Sequence, residues 1–281
     1  MMSAPMNSEG RGRDLLLRRF NAAECADIHC HCLPGLDDGP ADVAAALELC
    51  RALVEDGITT AVATPHQLGR YDGRNKAAEV RRAVGELRGA LAAEQIPLEV
   101  VAGGDVRVDE RIARLVDADE VLTLGDTGRY ILLELPHDML VDPRDLLKDL
   151  TSSGRTPILS HPERQPQLCR QPDALLAWLE MGACLQVTAG SLVGDFGDEP
   201  KRAAWGWLKQ GLVQLVASDA HDAARRPPRM IAAIEAIAVE MPHIVARRLC
   251  IENPLRVLRG EPLPSLAGRA STLRGGRGAG R

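Results

Sequence analysis

Aromatic side chains are scarce in this sequence: two phenylalanines, two tyrosines and three tryptophans among 281 residues. So little aromatic surface argues against a protein that stacks nucleobases. A formal net charge of −5 gives no general attraction to nucleic acid or to an anionic membrane. No apolar run approaches the length of a membrane span. Near the N-terminus, Arg11, Arg13, Arg18 and Arg19 accompany only Leu15-Leu16-Leu17, too short for the core of a signal peptide. The seven cysteines are odd in number and follow no regular framework, which fits a reducing cytosol better than a disulfide scaffold. The expected location is therefore the cytoplasm. No internal repeat or interdomain linker is visible.

What is present is an alternation of short apolar runs with helical patterns, in a chain that is 45% hydrophobic. The expected strands are Glu24 to His29, Ile58 to Thr64, Leu98 to Ala102, Tyr130 to Leu135, Thr156 to Arg164, Cys184 to Thr188 and Val213 to His221. Between them lie helical patterns, such as the spacing of Val43, Leu47, Cys50 and Val54 after Pro40, or of Val80, Val84, Leu87 and Leu91 before Pro97. Strand followed by helix, repeated, implies an α/β fold with parallel strands. Most of the expected strands leave His, Asp or Glu at or near the C-terminal end, where a parallel barrel builds its site. The expected architecture is thus a distorted (β/α)7 TIM-like barrel, with a doubly wound parallel sheet as the alternative. Residues 1–22 are expected to be a flexible segment and residues 23–264 one domain. Residues 265–281, with Arg269, Arg274, Arg277 and Arg281 among glycines and no acid, are expected to form a disordered basic tail.

The organising motif is Asp27-Ile28-His29-Cys30-His31. Alternate side chains of an extended segment share a face, so His29 and His31 can aim two imidazoles at one point. Other candidates arrive at later strand ends: Asp38, His66, Asp105, Glu134, His161, Asp219 and His221. Each has a plainer reading taken singly. Asp38 could cap the helix after it, Asp105 could be a turn residue, and His66 and His161 could be hydrogen-bonded loop residues. His137 and His243 are read as structural. Glu134 lies inside an apolar strand, where a carboxylate is costly without a cation. The set is entirely oxygen and nitrogen, which points to a hydrolytic site using manganese, zinc or iron rather than to structural zinc.

Leu33-Pro34-Gly35-Leu36-Asp37-Asp38-Gly39 after the His-x-His pair, Ala63-Thr64-Pro65-His66, Leu133-Glu134-Leu135, His161-Pro162-Glu163-Arg164 and Ser218-Asp219-Ala220-His221 together resemble the PHP (polymerase and histidinol phosphatase) superfamily. The closer likeness is to its bacterial protein-tyrosine phosphatases from capsule and exopolysaccharide operons, over about Asp27 to Leu258. That resemblance implies a PHP-type barrel and three divalent metals, manganese favoured, with zinc, iron(II) or magnesium as substitutes. It implies that His29, His31 and Asp219 hold one metal with the residue at 105, and that Glu134 and His161 hold a second while sharing that residue. Asp38, His66 and His221 would hold the third. Arg164 and Arg226 match arginines that grip substrate phosphate. The implied partner is a phosphotyrosine protein, such as a bacterial tyrosine kinase of polysaccharide synthesis. One departure stands out: where the family pattern has glutamate bridging two metals, this chain has Asp105, shorter by one methylene.

Competing readings remain at this level. Cys250-Ile251-Glu252-Asn253-Pro254-Leu255-Arg256 has the spacing of a cysteine phosphatase, but it lacks glycine, contains Pro254 and stands at a helix end. Amidohydrolase barrels also begin with His-x-His. Histidinol-phosphate hydrolysis and a non-catalytic metal-binding module are compatible with the same residues.

Overall fold

The computed structural model describes residues 24–264, so the expectations for residues 1–22 and 265–281 lie outside the described residues. Strands β1 (Ala26–Cys30), β2 (Thr60–Ala63), β3 (His66–Gln67), β4 (Glu99–Ala102), β5 (Asp105–Arg107), β6 (Tyr130–Glu134), β7 (Thr156–Ser160), β8 (Cys184–Thr188) and β9 (Leu215–Ala217) are all parallel to their neighbours. Helices α1 (Val43–Glu55), α2 (Ala77–Ala93), α3 (Ile112–Asp117), α4 (Arg144–Ser152), α5 (Pro166–Arg170), α6 (Asp173–Glu180), α7 (Ala189–Val193), α8 (Asp198–Lys209), α9 (Met230–Glu240), α10 (His243–Arg247) and α11 (Asn253–Leu258) fill the connections.

The strands form two sheets, β1-β2-β4 and β3-β5-β6-β7-β8-β9, and not the single closed sheet expected from sequence. Beyond the expected ends of the second and third strands the chain forms two further short strands, β3 and β5, each set off by a break with a local cause. Pro65 separates β2 from β3 and has no N–H to give to a ladder. Gly103 and Gly104 separate β4 from β5, and both are held where no side chain fits. A Cβ on Gly103 would lie 2.6 Å from Val62 Cγ1, and one on Gly104 would lie 2.2 Å from Gln67 Oε1. Gln67 cannot retreat, because its amide donates to Asn75 O at 2.7 Å and accepts from Leu122 N at 3.0 Å. The strand order never reverses along either sheet, whereas a doubly wound sheet requires a reversal.

The far edges of the two sheets meet. A parallel bridge joins Cys30 to Ala220, and Asp219 N donates to His29 O at 2.8 Å while His31 N donates to Ala220 O at 2.9 Å. Beneath that seam, buried Asp27 accepts from Ser218 N at 3.0 Å and His29 N at 3.3 Å, and also from the Ser218 hydroxyl.

Both faces of the strands are covered, which is why they read as continuous apolar runs rather than as alternating ones. Ile131, Leu133, Leu159 and Leu185 belong to a core shared with helical residues such as Leu49, Leu87 and Leu147. Tyr130, Leu132, Ile158, Leu215 and Ala217 belong to a second core with Ile28 and Val62. Strand alternation then fixes one polar end, where Glu134 follows Tyr130 and Leu132 on the second face; Asp219 lies two residues past β9, in a left-handed turn with φ 52°. The helix after the His-x-His loop is capped by Asp42, whose side chain accepts from Ala45 N at 2.9 Å, which leaves Asp38 free of the capping role.

Candidate metal and phosphate site

Nine of the residues chosen from sequence converge at the C-terminal ends of the strands, and their donor atoms fall into four tight groups. His29, His31 and Asp219 form one; His31, Asp38, His66 and His221 another; His66, Asp105 and Glu134 a third; His29, Asp105 and His161 the last. By proximity, then, Glu134 lies with His66 and His161 lies with His29, on two sides of Asp105. The resemblance had implied Glu134 and His161 around one metal. Asp105 thus belongs to two groups despite its short side chain, because β5 brings its Cα into register with His66 on β3 and Leu132 on β6.

The imidazoles are held from behind. His29 Nδ1 faces Gln186 Oε1 at 3.0 Å, His31 Nδ1 faces Asp37 Oδ2 at 2.7 Å, and His221 Nδ1 faces Asp219 O at 3.0 Å. Each partner is an acceptor, so each Nδ1 donates to it and each Nε2 is left facing the centre. The Nε2 atoms of His29 and His31 lie 3.2 Å apart, close enough to share one cation. Asp37 also accepts from His66 N at 2.9 Å and Gly39 N at 3.0 Å. Burial opposes its ionisation, but the charge and hydrogen bond of His31 outweigh it and hold Asp37 at about 2.

Whether the residues fit metals is decided by atoms left without a partner. Both carboxylate oxygens of wholly buried Asp105 lack a hydrogen bond, as do His66 Nδ1 and His221 Nε2. Leaving a buried carboxylate unsatisfied costs several kcal/mol in general, on the order of the penalty for a buried charge. Orphaned carboxylate oxygens clustered with imidazoles and further carboxylates are what divalent cations require. The set fits.

Arg164 and Arg226 converge on the same carboxylate. Arg226 Nη2 is 2.6 Å from Asp219 Oδ2, and Arg164 Nη1 pairs with that same oxygen. The Arg164 guanidinium lies 4.3 Å from the centre of the Phe196 ring. A pocket of about 190 Å³ opens above, lined by these arginines, His66, His161 and His221, and by Tyr71, Arg107 and His137.

Several contributors were not selected from sequence. Asp37 was visible in the Asp37-Asp38 doublet, but only position 38 was chosen. Gln186 is a polar residue inside an apolar strand, the same signal that singled out Glu134. Arg107 had no sequence signal; its Nη2 lies 3.1 Å from Glu134 Oε2. His137, read as structural, is instead part of the pocket wall: its ring stacks on that of His161 at 5.6 Å, and its Nε2 is 3.5 Å from Glu134 Oε1. His243 is on α10, outside the pocket. The cysteine-phosphatase spacing forms no cradle. Cys250 is fully buried in a π-helical turn, burial pushes its thiol well above the usual range, and helix α11 carries the chain on through Arg256.

Glu163, within the His161-Pro162-Glu163-Arg164 motif, is a strut. His161 adopts a left-handed conformation, φ 33° and ψ 48°, which costs a non-glycine residue free energy. Fully buried Glu163 reaches across to accept from Thr188 N and Ser191 Oγ, both at 2.8 Å, tying the strained turn to the end of β8 and to α7. Burial raises its carboxyl to about 6. Glu163→Ala should lower stability by about 2–3 kcal/mol in chemical denaturation, the cost of stranding buried donors. Unchanged stability would show that the turn holds itself.

The profile of the capsular polysaccharide synthesis family, CpsB/CapC, matches residues 25–259. The chain belongs to the CpsB/CapC family. Among its relatives is the tyrosine-protein phosphatase YwqE of Bacillus subtilis, 40% identical over 204 residues, covering 71% of this chain and 78% of YwqE. Tyrosine-protein phosphatase CpsB of Streptococcus pneumoniae is 27% identical over 241 residues, covering 83% of this chain and 97% of CpsB. A crystal structure from work on those two proteins, described there as unique metal-dependent tyrosine phosphatases, superposes with a TM-score of 0.81 at 35% identity, covering 85% of this chain and 96% of that one. A β-aspartyl dipeptidase from Fervidobacterium islandicum shares the fold alone, at a TM-score of 0.51 and 15% identity, covering 86% of this chain and 75% of that one.

Proposed function

We propose that this CpsB/CapC chain is a metal-dependent protein-tyrosine phosphatase acting in capsular or exopolysaccharide synthesis. The observation that carries the reading is a buried centre of His, Asp and Glu donors with two arginines directed at it, in a chain 40% identical to a tyrosine-protein phosphatase. Three divalent metals are assigned to the nine donors, with manganese favoured. Following the family pattern, His29, His31, Asp219 and Asp105 would hold the first, Glu134 and His161 the second from the two sides of the shared Asp105, and Asp38, His66 and His221 the third. When bound, such cations supply positive charge and lower the pKa of a water.

The remaining work falls to the chain itself. Arg164 and Arg226 are already desolvated on one side and share Asp219, so an incoming phosphate dianion offers both forks a better-matched acceptor. Asp219 keeps the two guanidiniums pointed inward before substrate arrives. Gln186 and Asp37 keep His29 and His31 in the tautomer that presents Nε2 to the centre. The leaving phenolate, with a pKa of about 10, needs less protonation than an alkoxide, so no strong general acid is required.

The same reading takes residues 23–264 as one phosphatase unit and the two sheets as a distorted barrel with seven strand positions, β2 with β3 and β4 with β5 each counting as one. The bridge from Cys30 to Ala220 and the second core between the strands support it. No helix among the described residues is long and apolar enough to cross a membrane, and all seven cysteines are free, which supports a cytoplasmic site of action. The proposed substrate is the phosphotyrosine of a polysaccharide-synthesis kinase. Metal-reconstituted protein should release phosphate from phosphotyrosine peptides far faster than from phosphoserine peptides or histidinol phosphate. Preference for histidinol phosphate would assign it to small-molecule hydrolysis, and bound metal without any turnover would make it a binding module.

A further inference from the structure

One aromatic ring in this aromatic-poor chain has no role in the chemistry above. Of the two tyrosines, Tyr130 is buried in the second core, while Tyr71 is half-buried at the pocket wall. It follows β3 in a tight turn. Leu68 and Gly69 both take positive φ, 63° and 55°, and Tyr71 N closes the turn on Leu68 O at 2.9 Å. The turn is pinned from below, since a Cβ on Gly69 would lie 2.9 Å from Arg107 Cγ. The Tyr71 ring stacks beside that of His66, 5.7 Å between centres and 15° between planes. His66 in turn reaches Asp105 and Asp38, each at 3.3 Å. The Arg70 guanidinium lies 4.8 Å from the Tyr71 ring centre and 3.1 Å from Asp38, at the mouth of the pocket.

Tyr71 therefore stands one ring's breadth outside the charged centre. The aryl group of a phosphate ester bound there must also lie one ring's breadth out, because the ester oxygen separates ring from phosphorus. The other candidate aromatic, Phe196, carries Arg164, which is itself committed to buried Asp219, whereas the Arg70 side chain over Tyr71 is largely exposed and can swing aside for a ligand. The geometry points to Tyr71 as the apolar wall that receives the aryl ring of the substrate, making it a specificity-determining residue for aryl over alkyl phosphates. This rests on the phosphotyrosine reading and names the residue that would select the ring.

The test is calorimetric binding of two probes, phenylphosphonate and inorganic phosphate, to metal-loaded wild type, Tyr71→Ala and Tyr71→Phe, with turnover of a phosphotyrosine peptide measured in parallel. Tyr71→Ala should weaken phenylphosphonate about three- to tenfold, the range of an aromatic contact, and inorganic phosphate by less than about twofold. Tyr71→Phe should match the wild type, which also guards against a folding defect in the alanine variant. Equal weakening of both probes would reduce Tyr71 to a prop for His66 and overturn the proposal, and so would an unchanged ratio or a wild type that binds neither. A wild type that prefers phenylphosphonate through Tyr71 yet fails to turn over the peptide would instead sink the phosphatase reading while leaving the ring contact standing.

Discussion

Asp219→Asn should lower kcat on an aryl phosphate by about a thousandfold, some 4 kcal/mol of transition-state stabilisation. Four cationic or ligating groups meet on this one carboxylate. Oδ1 lies 3.2 and 3.4 Å from the Nε2 atoms of His29 and His31, and Oδ2 binds both Arg164 and Arg226. Burial disfavours the ionised form, but His29, His31, Arg226 and His161 together hold it well below the usual carboxylate range. Asparagine keeps the shape and tolerates the positive φ of 52° found here, so the substitution removes charge with little backbone strain. It also leaves the two arginines without their anion, so KM should shift as well as kcat. Circular dichroism and denaturation would establish that the variant folds. A kcat within about tenfold of wild type would mean that Asp219 only arranges its neighbours.

Exhaustive chelation should abolish activity and alkylation of thiols should leave it intact. The first follows from the orphaned oxygens of Asp105 and the orphaned ring nitrogens of His66 and His221, which the protein by itself does not satisfy. The same reasoning predicts a lower melting temperature after chelation, since a ligand held at about a thousand times its Kd contributes about 4 kcal/mol to the folded state. Activity should return with added divalent metal, manganese most effectively. The second follows from burial: Cys25, Cys30, Cys32, Cys50, Cys184 and Cys250 are buried, and only Cys169 is partly exposed. Activity that survived chelation but fell to an alkylating reagent would overturn the metal assignment.

Much of the fold could be read directly. The bounds expected for Cys184–Thr188 coincide with β8, because Gly182 and Gly190 stand just outside its two ends and an apolar run fills the middle. The short strands β3 and β5 were not legible. Each lies past the polar exit of an expected strand, where Pro65 or the Gln67 side chain over Gly104 interrupts the ladder, and the second of these is a contact between residues far apart in sequence. Asp37 and Gln186 escaped selection because a residue that orients a ligand leaves the same trace in sequence as a turn former or a stray polar residue in a strand.

The sequence by itself determined which donor types this protein has and that they stand at strand exits, and period-two alternation carries Glu134 to the same face as Tyr130 and Leu132 before it. Only the tertiary structure decided which donors share a space: Asp105 lying between the His66–Glu134 and His29–His161 pairs, Arg164 meeting Asp219 across 55 residues, and Tyr71 standing beside His66. The physical reason is that strand periodicity fixes the direction of a side chain within its own strand. The stagger between strands, the seam that joins β1 to the end of β9 and the strained turns at His161 and Asp219 set its distance from everything else.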